Sequence, residues 1–518
     1  MASHRWSFWT KVLLLATVVA AADGLIFIAT GLGANLGLVG LAWAGGLALA
    51  VPAVRGDRLG RIALAFAALF ALLQIERATL LGWVLFLIAI GVAALAPRAG
   101  RVDDAWRWFQ RLVVGGFMGL IGPVRDVRRV LRARGRRRNA RLVDLLLVLA
   151  LPVLGGGVFV ALFAQANPVI EQTLDTLRLP EPDVRRIAFW AGVAVVVWAA
   201  LRPGGLRRPL ALPGLDRELT LPGVTTASIT LSLAVFNAIF AVQNGLDLAY
   251  LWGGLGLPEG TTFAEYAHRG AYPLIATALL AGLFVLVFLR PGSATASDRR
   301  VRWLVTAWVA QNLFLVASTA LRTLDYVEAY SLTRMRIAAL LWMGLVAIGL
   351  ALILWRLLRG RSAAWLINAN ALTAGLVLAF CSVADLGAIA AAWNVRHARE
   401  VGGAGVDLDL CYMQLTLGGA SLVPLARLEA SLPSSEFRDR VSFVRQGVQA
   451  RVTGWQSDWR EWRWRDARRL AEAERITGPT PPLLHERRDC GGRLLPAMPV
   501  TRAPAPAASQ PLTPNPKP

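Results

Sequence analysis

The sequence predicts an all-α, polytopic transmembrane helix bundle of about eleven spans, followed by a small helical extracytoplasmic region and a disordered tail. Three observations lead to this class. The 518 residues are 56% hydrophobic and 17% charged, whereas about 25% of the residues of a soluble protein are charged. Apolar stretches close to the ~20 residues that cross a bilayer recur along the chain. The arginines cluster between those stretches, as in multi-pass membrane proteins.

Each apolar stretch must be helical, because lipid offers no hydrogen bonds to an unpaired backbone. Ile187–Leu201 is short for a crossing unless its helix begins earlier. The first segment also fits a signal peptide, with basic residues before it and small ones after it; the apolar hairpin that follows favours a retained span. The predicted spans are Val12–Ala29, Asn35–Val54, Leu59–Ile75, Thr79–Ala96, Leu142–Gln165, Ile187–Leu201, Val224–Leu246, Ala271–Leu289, Val301–Ala320, Ile337–Trp355 and Ala363–Ala384.

The arginine distribution also predicts orientation. With the N-terminus in the cytoplasm, the loops on that side are clearly richer in arginine than those on the other side, and the C-terminus lies in the periplasm. Lysine occurs only at Lys11 and Lys517, and arginine with abundant Ala, Gly, Leu and Val is typical of a high-GC bacterial genome. We therefore expect a multi-pass protein of the bacterial inner membrane. The cytoplasmic arginines fall in 55–61, 98–141, 202–208, 290–302 and 356–361.

The same pattern divides the chain into five parts. Residues 1–96 form an N-terminal four-helix membrane segment, and 97–141 form an arginine-rich cytoplasmic loop. Residues 142–392 form a seven-helix membrane core. An extracytoplasmic helical region follows at 393–477, and 478–518 is a disordered tail rich in Pro and Ala.

The cytoplasmic loop contains two features that face the membrane surface. Its second part, Arg125–Arg141, is dense in arginine and is expected to bind anionic lipid headgroups; docking of an acidic cytoplasmic partner is the alternative. The net charge of +22 does not indicate a nucleic-acid partner, because the arginines form no single basic face. The first part predicts an interfacial amphipathic helix through Trp106, Phe109, Leu112, Val113 and Phe117.

Polar side chains inside predicted spans are costly in lipid, so each needs a partner or a function. Amides in such positions usually form hydrogen bonds between helices, and the alternative is a polar cavity in the outer half of the bundle. The strongest candidates are Asn237, Gln243, Asn244 and Asp247 in the seventh span and Gln311 and Asn312 in the ninth.

Two outer loops carry the densest charge. The stretch 322–336 is expected to form a short helix lying in the interface, with Arg322, Asp325, Glu328 and Arg336 in ion pairs. The alternative is a site that handles a proton or an anion. The other loop combines a carboxylate, an imidazole and a guanidinium on adjacent turns. The candidate residues of the two loops are Glu265, His268, Arg269, Arg322, Asp325, Glu328, Arg334 and Arg336.

The C-terminal region predicts a helix over Arg451–Ile476, with Trp455, Trp459 and Trp462 on one face and an i, i+4 ion pair between Glu461 and Arg465.

Cys411 and Cys490 are both in the polar C-terminal region, so in an oxidising compartment they either form a disulfide or remain two thiols. Pairing would tie the tail to the beginning of this region. No C-x-x-C or Cys/His spacing occurs, so no metal site is predicted. No Walker motif, G-x-S-x-G or H-E-x-x-H occurs either, so no cofactor is predicted.

Three segments resemble signatures of a bacterial multi-pass membrane family known as a domain of unknown function, in the groups numbered 4153 and 4173. They are TFAEYAHRGAYPLI (Thr262–Ile275), LRTLDYVEAYSLTRMRIAALLWM (Leu321–Met343) and LDLCYMQLTLGGASLVPL (Leu408–Leu425). The resemblance covers about Leu142 to Leu428, and the first four spans are similar mainly in hydropathy. It implies fold and topology, but no activity.

The sequence leaves three functions open. The preferred one is an envelope sensor, scaffold or assembly factor that is not an enzyme, because polar groups concentrate toward the outer half of the chain's spans. The second is a secondary transporter whose path is lined by Asn244, Asp247 and Asn312. The third is an intramembrane enzyme acting on lipid or a lipid-linked substrate, with acid–base residues among the outer-loop carboxylates and His268.

Overall fold

The computed structural model describes residues 2–99, 104–135, 183–204, 225–249, 277, 280, 282–284, 298–478 and 487–496. Within these ranges the regular structure is helical, apart from one isolated antiparallel bridge between Arg488 and Leu494. The helices of the membrane part are α1 (Ala2–Ala22, continued by the π-helical turn Asp23–Phe27), α2 (Ala34–Ala50), α3 (Pro52–Gly56), α4 (Arg58–Glu76), α5 (Leu80–Ala99), α6 (Ala105–Gly135), α7 (Val184–Leu201), α8 (Thr226–Asp247), α9 (Arg299–Tyr330), α10 (Arg334–Arg359) and α11 (Ala363–Val383).

Eight helices in the described ranges are long and apolar enough to cross a membrane, and each matches a predicted span. The helix α2 corresponds to a further predicted span. Its 17 residues extend about 26 Å, slightly less than the thickness of a hydrocarbon core of about 30 Å. The short sixth span does begin earlier than Ile187, at Val184. Leu142–Gln165 and most of Ala271–Leu289 lie outside the described residues, so the full count of spans stays a prediction.

The helices begin where the sequence supplies a capping side chain. Asp57 Oδ2 accepts a hydrogen bond from the Gly60 amide at 2.7 Å, at the start of α4. Such a cap satisfies an amide that has no partner within the helix. Gly360, with φ of +62°, ends α10 in the left-handed conformation that favours glycine. The other capping residues in the membrane part are Asp183, Thr225, Asp298, Thr333 and Ser362.

The spans pack in two groups. One buries apolar side chains of α1, α2, α4, α5 and α7, with Leu47, Ala67 and Phe86 at its centre. The other packs α8, α9, α10 and α11 around Leu233 and Trp308. Although α7 falls in the predicted seven-helix core, its side chains pack with the N-terminal group.

Many apolar side chains of the spans are exposed. In α10, Trp342, Ile348 and Trp355 all lie on the surface of the helix bundle. A helix that is apolar on every side and only partly packed against protein needs another apolar environment. The described helices therefore form a membrane protein whose remaining apolar surface faces lipid.

The predicted amphipathic helix is present as α6, and it extends to Gly135. Phe109, Phe117 and Ile121 are exposed on one side. On the other side, Gly115 lies close to Leu95 of α5, and Gly119 lies close to Ala199 of α7. The helix α6 therefore packs against both spans. This arrangement suits a helix at the surface of the bilayer.

The C-terminal region folds into a compact unit that we call the cap, residues 385–478 and 487–496. It contains α12 (Leu386–His397), α13 (Leu422–Ser431), α14 (Glu436–Gln456) and α15 (Trp464–Thr477), with a π-helical turn at Tyr412–Leu417. Its core is apolar and fully buried. The central residues are Leu410, Met413, Leu425, Val441 and Val444, next to a second cluster of Leu422, Ala426, Val448, Val452 and Ala473.

Two predicted helices of the outer surface are wrong. The stretch from Arg322 is not a separate interfacial helix, because α9 continues without a break to Tyr330. No Gly or Pro occurs there to end the helix. The helix predicted over Arg451–Ile476 is broken at 457–463. The Ser457 hydroxyl donates to the Gly454 carbonyl and Asp458 accepts from the Arg460 amide, contacts that compete with helical hydrogen bonding.

Candidate functional site

Polar side chains join α8 to α9 along a line that we call the polar seam. It consists of Asn237, Gln243, Asn244, Asp247, Gln311 and Arg322. The buried Asn312 donates instead to the Trp308 carbonyl of its own helix at 2.8 Å. Gln311 Nε2 donates to Asn237 Oδ1 at 2.7 Å. Asn237 and Asn244 donate to the carbonyls of Leu304 and Gln311 at 3.0 and 3.2 Å. Hydrogen bonding between helices, the simpler of the two expectations, therefore accounts for these amides.

The seam ends in a buried ion pair between Asp247 and Arg322, whose side chains are 2% and 7% exposed. Gln243 Nε2 also donates to Asp247 Oδ1 at 3.0 Å. Arg322 thus binds a carboxylate of α8, whereas the sequence suggested Asp325 or Glu328 on its own helix, because the continuous α9 directs it toward α8. The pair lies inside the membrane part of the bundle, where an isolated charge is expensive.

Three acceptor oxygens of the seam have no hydrogen-bond donor among the residues that the structure describes. They are Asn244 Oδ1, Asp247 Oδ2 and Gln311 Oε1, and each is inaccessible to solvent. Asn244 and Asp247 lie one turn apart on α8, and the Asn244 amide contacts the Gln311 backbone. Buried polar atoms are normally satisfied by protein or by ordered water. The seam therefore offers acceptor positions for water, for a proton on Asp247 or for a small donor ligand.

Of the outer-loop residues expected to form an enzyme site, the described arginines Arg334 and Arg336 bind backbone carbonyls. Arg336 donates to the Tyr330 carbonyl at 2.6 Å and to the Ser331 carbonyl, and its guanidinium lies 4.0 Å from the centre of the Tyr326 ring. Arg334 donates to the carbonyl of Thr416 in the cap. The remaining members of this proposal, Glu265, His268 and Arg269, lie outside the described residues.

The turn between α9 and α10 is instead fixed to the cap. Ser331 has a φ of +67°, which is unfavourable for a residue with a side chain. The Asn394 side chain of the cap accepts from the Leu332 amide at 2.7 Å and donates to the Leu332 carbonyl at 3.0 Å. These contacts, with Arg336 on the Ser331 carbonyl, stabilise the strained turn.

A second docking contact joins the cap to the loop between α1 and α2. Glu461 accepts hydrogen bonds from the Thr30 hydroxyl at 2.6 Å and from the amides of Thr30 and Gly31 at 2.7 Å each. The hydrogen bond from Thr30, followed by those from the backbone amides, holds the pKa of Glu461 below its ordinary value. The predicted Glu461–Arg465 pair is therefore wrong, because the break before α15 turns Glu461 toward this loop.

The cap also supplies the missing N-terminal cap of α2. The amides of Ala34 and Asn35 donate to the carbonyls of Trp462 and Arg460, at 2.9 and 2.7 Å. Gly33 provides no capping side chain, and a Cβ there would lie 2.1 Å from the Glu461 carbonyl oxygen. The backbone of the cap therefore covers the start of α2 together with the Asn35 side chain, which accepts from the Leu36 amide at 2.7 Å.

Charged contacts connect α15 to the ends of α4 and α11. Arg465 Nη2 lies 2.8 Å and Arg468 Nη2 3.3 Å from Glu76 Oε1. Asp385, which caps α12, is bound by Arg469 and approached by Arg465 at 3.7 Å and Arg77 at 3.9 Å. Burial by itself raises the pKa of Asp385, but Arg469, the Ala388 amide and the other two arginines outweigh burial and lower it.

Cys411 and Cys490 form a disulfide across a sequence separation of 79, with their Cα atoms 4.8 Å apart. It holds residues 487–496 against the start of the cap and α14, where Arg440 donates to the Gly491 carbonyl at 3.1 Å. Of the two outcomes that the sequence left open, the structure contains the disulfide, and it fastens the beginning of the tail. Cys381 of α11 is a free thiol.

Comparison with known proteins identifies the family of this chain but assigns it no activity. The sequence model of the family described as a domain of unknown function, DUF4153, matches residues 62–428. The match ends where the resemblance was expected to end, and it begins earlier, within α4. No curated protein and no solved structure matches the chain. Since the match covers most of the sequence, the chain belongs to the DUF4153 family of domains of unknown function.

Proposed function

We propose that this protein is a scaffold or assembly factor of the bacterial inner membrane, without enzymatic activity, that presents its cap to partners in the envelope. One observation carries the proposal. The cap contacts the α1–α2 loop, the end of α4, the α9–α10 turn and the end of α11, where Arg465 donates to the Val383 carbonyl at 2.8 Å, so it bridges both groups of spans. A unit fixed at so many points is a rigid platform rather than a flexible tail.

The proposed orientation places the N-terminus in the cytoplasm and the cap outside. In support, every loop that contacts the cap was assigned to the outer side from its low arginine content. A disulfide also persists in an oxidising compartment, as the periplasm is. The exposed Trp459 and Trp464 suit the headgroup layer, where tryptophan is enriched.

At the other end of the bundle, we propose that α6 and the arginine run Arg125–Arg141 bind anionic headgroups of the cytoplasmic leaflet. Arg125, Arg128 and Arg129 are exposed. They follow the exposed apolar stripe of α6, which is the arrangement that anchors a helix on an anionic surface.

The scaffold role is tested by complementing a deletion strain with variants that weaken docking. Arg465→Ala with Arg468→Ala removes the contacts of the cap to Glu76 and to the Val383 carbonyl. Arg427→Ala with Arg475→Ala is the matched control, since among the described residues these exposed arginines form ion pairs with Glu472 within the cap. We expect the docking variant to fail and the control to complement. Full complementation by a chain that ends at residue 392 would refute the role of the cap.

Orientation is tested separately by labelling single cysteines with a membrane-impermeant maleimide in intact spheroplasts. Ser434→Cys lies on the exposed surface of the cap, and Ala53→Cys lies in α3 at the opposite end of the bundle. We expect labelling of Ser434→Cys alone before lysis and of both afterwards. Labelling of Ala53→Cys alone before lysis would reverse the proposed topology.

A second candidate function, transport of a small polar solute, is favoured by the acceptor oxygens of the polar seam that lack donors within the described part of the chain. A path along α8 and α9 would use Asn244, Asp247 and Asn312. Replacement of all three by alanine is then expected to abolish uptake in a strain that depends on this protein, at unchanged protein level. Normal uptake would exclude the seam as a path.

A further inference from the structure

An apolar groove lies between α5 and α7, with α2 at its floor. It consists of two adjoining cavities of about 390 and 270 Å³, which share Trp43, Leu87 and Val196 in their walls. On α7 it extends from Phe189 to Ala200. At 1.5 Å per residue this is about 17 Å, close to the thickness of one leaflet of a hydrocarbon core of about 30 Å. The groove thus has the length and polarity of one acyl chain.

The groove ends at α6 and at a cluster of cations. Its lining at that end includes Leu95, Gly116 and Pro203. Arg98 is one turn beyond Leu95 on α5, and Arg202 directly precedes Pro203. Lys11 is close enough to both arginines for their charges to interact with it.

Positive charge in this cluster exceeds the negative charge around it. Asp126 is the acid nearby, and it is already shared between Arg202 at 3.3 Å and Arg129 at 3.6 Å. Among the described residues, no carboxylate forms an ion pair with Lys11 or Arg98. A phosphate at this point would supply the missing negative charge and accept hydrogen bonds from the guanidinium groups.

We propose that the groove between α5 and α7 is a specific site for an anionic phospholipid, with one acyl chain along the groove and the phosphate bound by Lys11, Arg98 and Arg202. The exposed stripe of α6 would bind many lipids weakly, whereas this site holds one. The inference rests on the proposed insertion in a membrane, but not on the role or the orientation of the cap.

Two kinds of variant distinguish binding of the lipid's acyl chain from binding of its headgroup. The cation variant removes the three positive charges through Lys11→Gln, Arg98→Gln and Arg202→Gln. Its control removes equal charge elsewhere at the same end of the bundle, through Arg55→Gln, Arg58→Gln and Arg61→Gln. Gly192→Leu fills the groove, because a Cβ at Gly192 meets no described atom within 4 Å. Gly344→Leu is its control, since Gly344 is equally open and lies on α10, away from the groove.

The purified full-length chain is measured by native mass spectrometry with phosphatidylglycerol or phosphatidylcholine of identical acyl chains. We expect one phosphatidylglycerol to remain bound at collision energies that strip phosphatidylcholine. The fraction of protein that retains phosphatidylglycerol should fall at least tenfold in both the cation variant and Gly192→Leu. It should not fall in either control. Loss in the cation variant with full retention in Gly192→Leu would mean headgroup binding at the surface only. Equal retention of both lipids, or of neither, would also overturn the proposal.

Discussion

The polar seam and the docked cap use the same chemistry, arginine bound to carboxylate, in two different environments. In the seam a single pair, Asp247 and Arg322, is almost wholly buried among apolar helices. At the cap, Glu76 and Asp385 share several arginines, and most of these side chains keep contact with solvent. The buried charges of the seam therefore depend on one ion pair, whereas the docking of the cap is distributed over many weak contacts.

The largest effect is therefore expected from Asp247→Ala, which takes the Asp247 carboxylate away from the buried Arg322 guanidinium. We expect a loss of about 3–5 kcal/mol in the free energy of unfolding, as for other broken buried pairs. Unfolding in mixed detergent micelles, followed by circular dichroism, measures it. The double variant Asp247→Leu, Arg322→Met removes both charges and should recover most of the loss. A change below about 1 kcal/mol in Asp247→Ala would show that the pair is not isolated from water.

The disulfide comes next. Replacing Cys411 and Cys490 by serine should destabilise the cap by about 2–4 kcal/mol, because the unfolded cap regains the freedom of a long loop. Limited trypsin digestion followed by mass spectrometry should show early cleavage around Arg487 and Arg493. Cys381→Ser, which removes the free thiol, serves as the control. Equal cleavage rates in all three proteins would mean that residues 487–496 are held by their noncovalent contacts alone.

A smaller, local effect is expected from Glu461→Gln. The neutral amide keeps one acceptor oxygen but loses the charge that strengthens its bonds to Thr30 and Gly31, which should cost about 1–3 kcal/mol. Hydrogen exchange is the sharpest measurement, because the Ala34 and Asn35 amides donate to carbonyls that flank Glu461. The peptide spanning 30–36 should exchange faster than in the wild type. Unchanged exchange there, or equal acceleration in Arg427→Ala, would show that Glu461 does not hold this loop.

The smallest effect is the response of docking to acid. Asp385 and Glu461 have pKa values below their ordinary ones, which are about 3.9 for Asp and 4.3 for Glu. Their contribution is complete above those ordinary values and disappears as the pH falls through the lower pKa values of the docked state. Spin labels at Leu80→Cys and Ser434→Cys, in a Cys381→Ser background, should give one narrow distance at pH 7 and a broader distribution below about pH 4. Asp385→Asn should broaden it already at pH 7, and a distribution that stays narrow at low pH would contradict the prediction.

The sequence predicted the regular parts of the molecule well. Apolar length identified the spans that the structure describes, and in the structure Asp57 and Ser362 cap the starts of two of them. Prediction failed where a polar residue found its partner far away in the sequence. Arg322 was assigned to a surface helix because its nearest acids in the sequence are Asp325 and Glu328, yet it binds Asp247 on another span. Glu461 was paired with Arg465 for the same reason, and it binds Thr30 instead.

What the sequence by itself determined is the membrane class, the helical segments and the family, because hydropathy and capping act over a few neighbouring residues. What only the tertiary structure decided is which charges meet and where the C-terminal region docks. Coulomb attraction and hydrogen bonding depend on distance in space, and the contact between Glu461 and Thr30 closes a separation of 431 residues. No local pattern records such a contact.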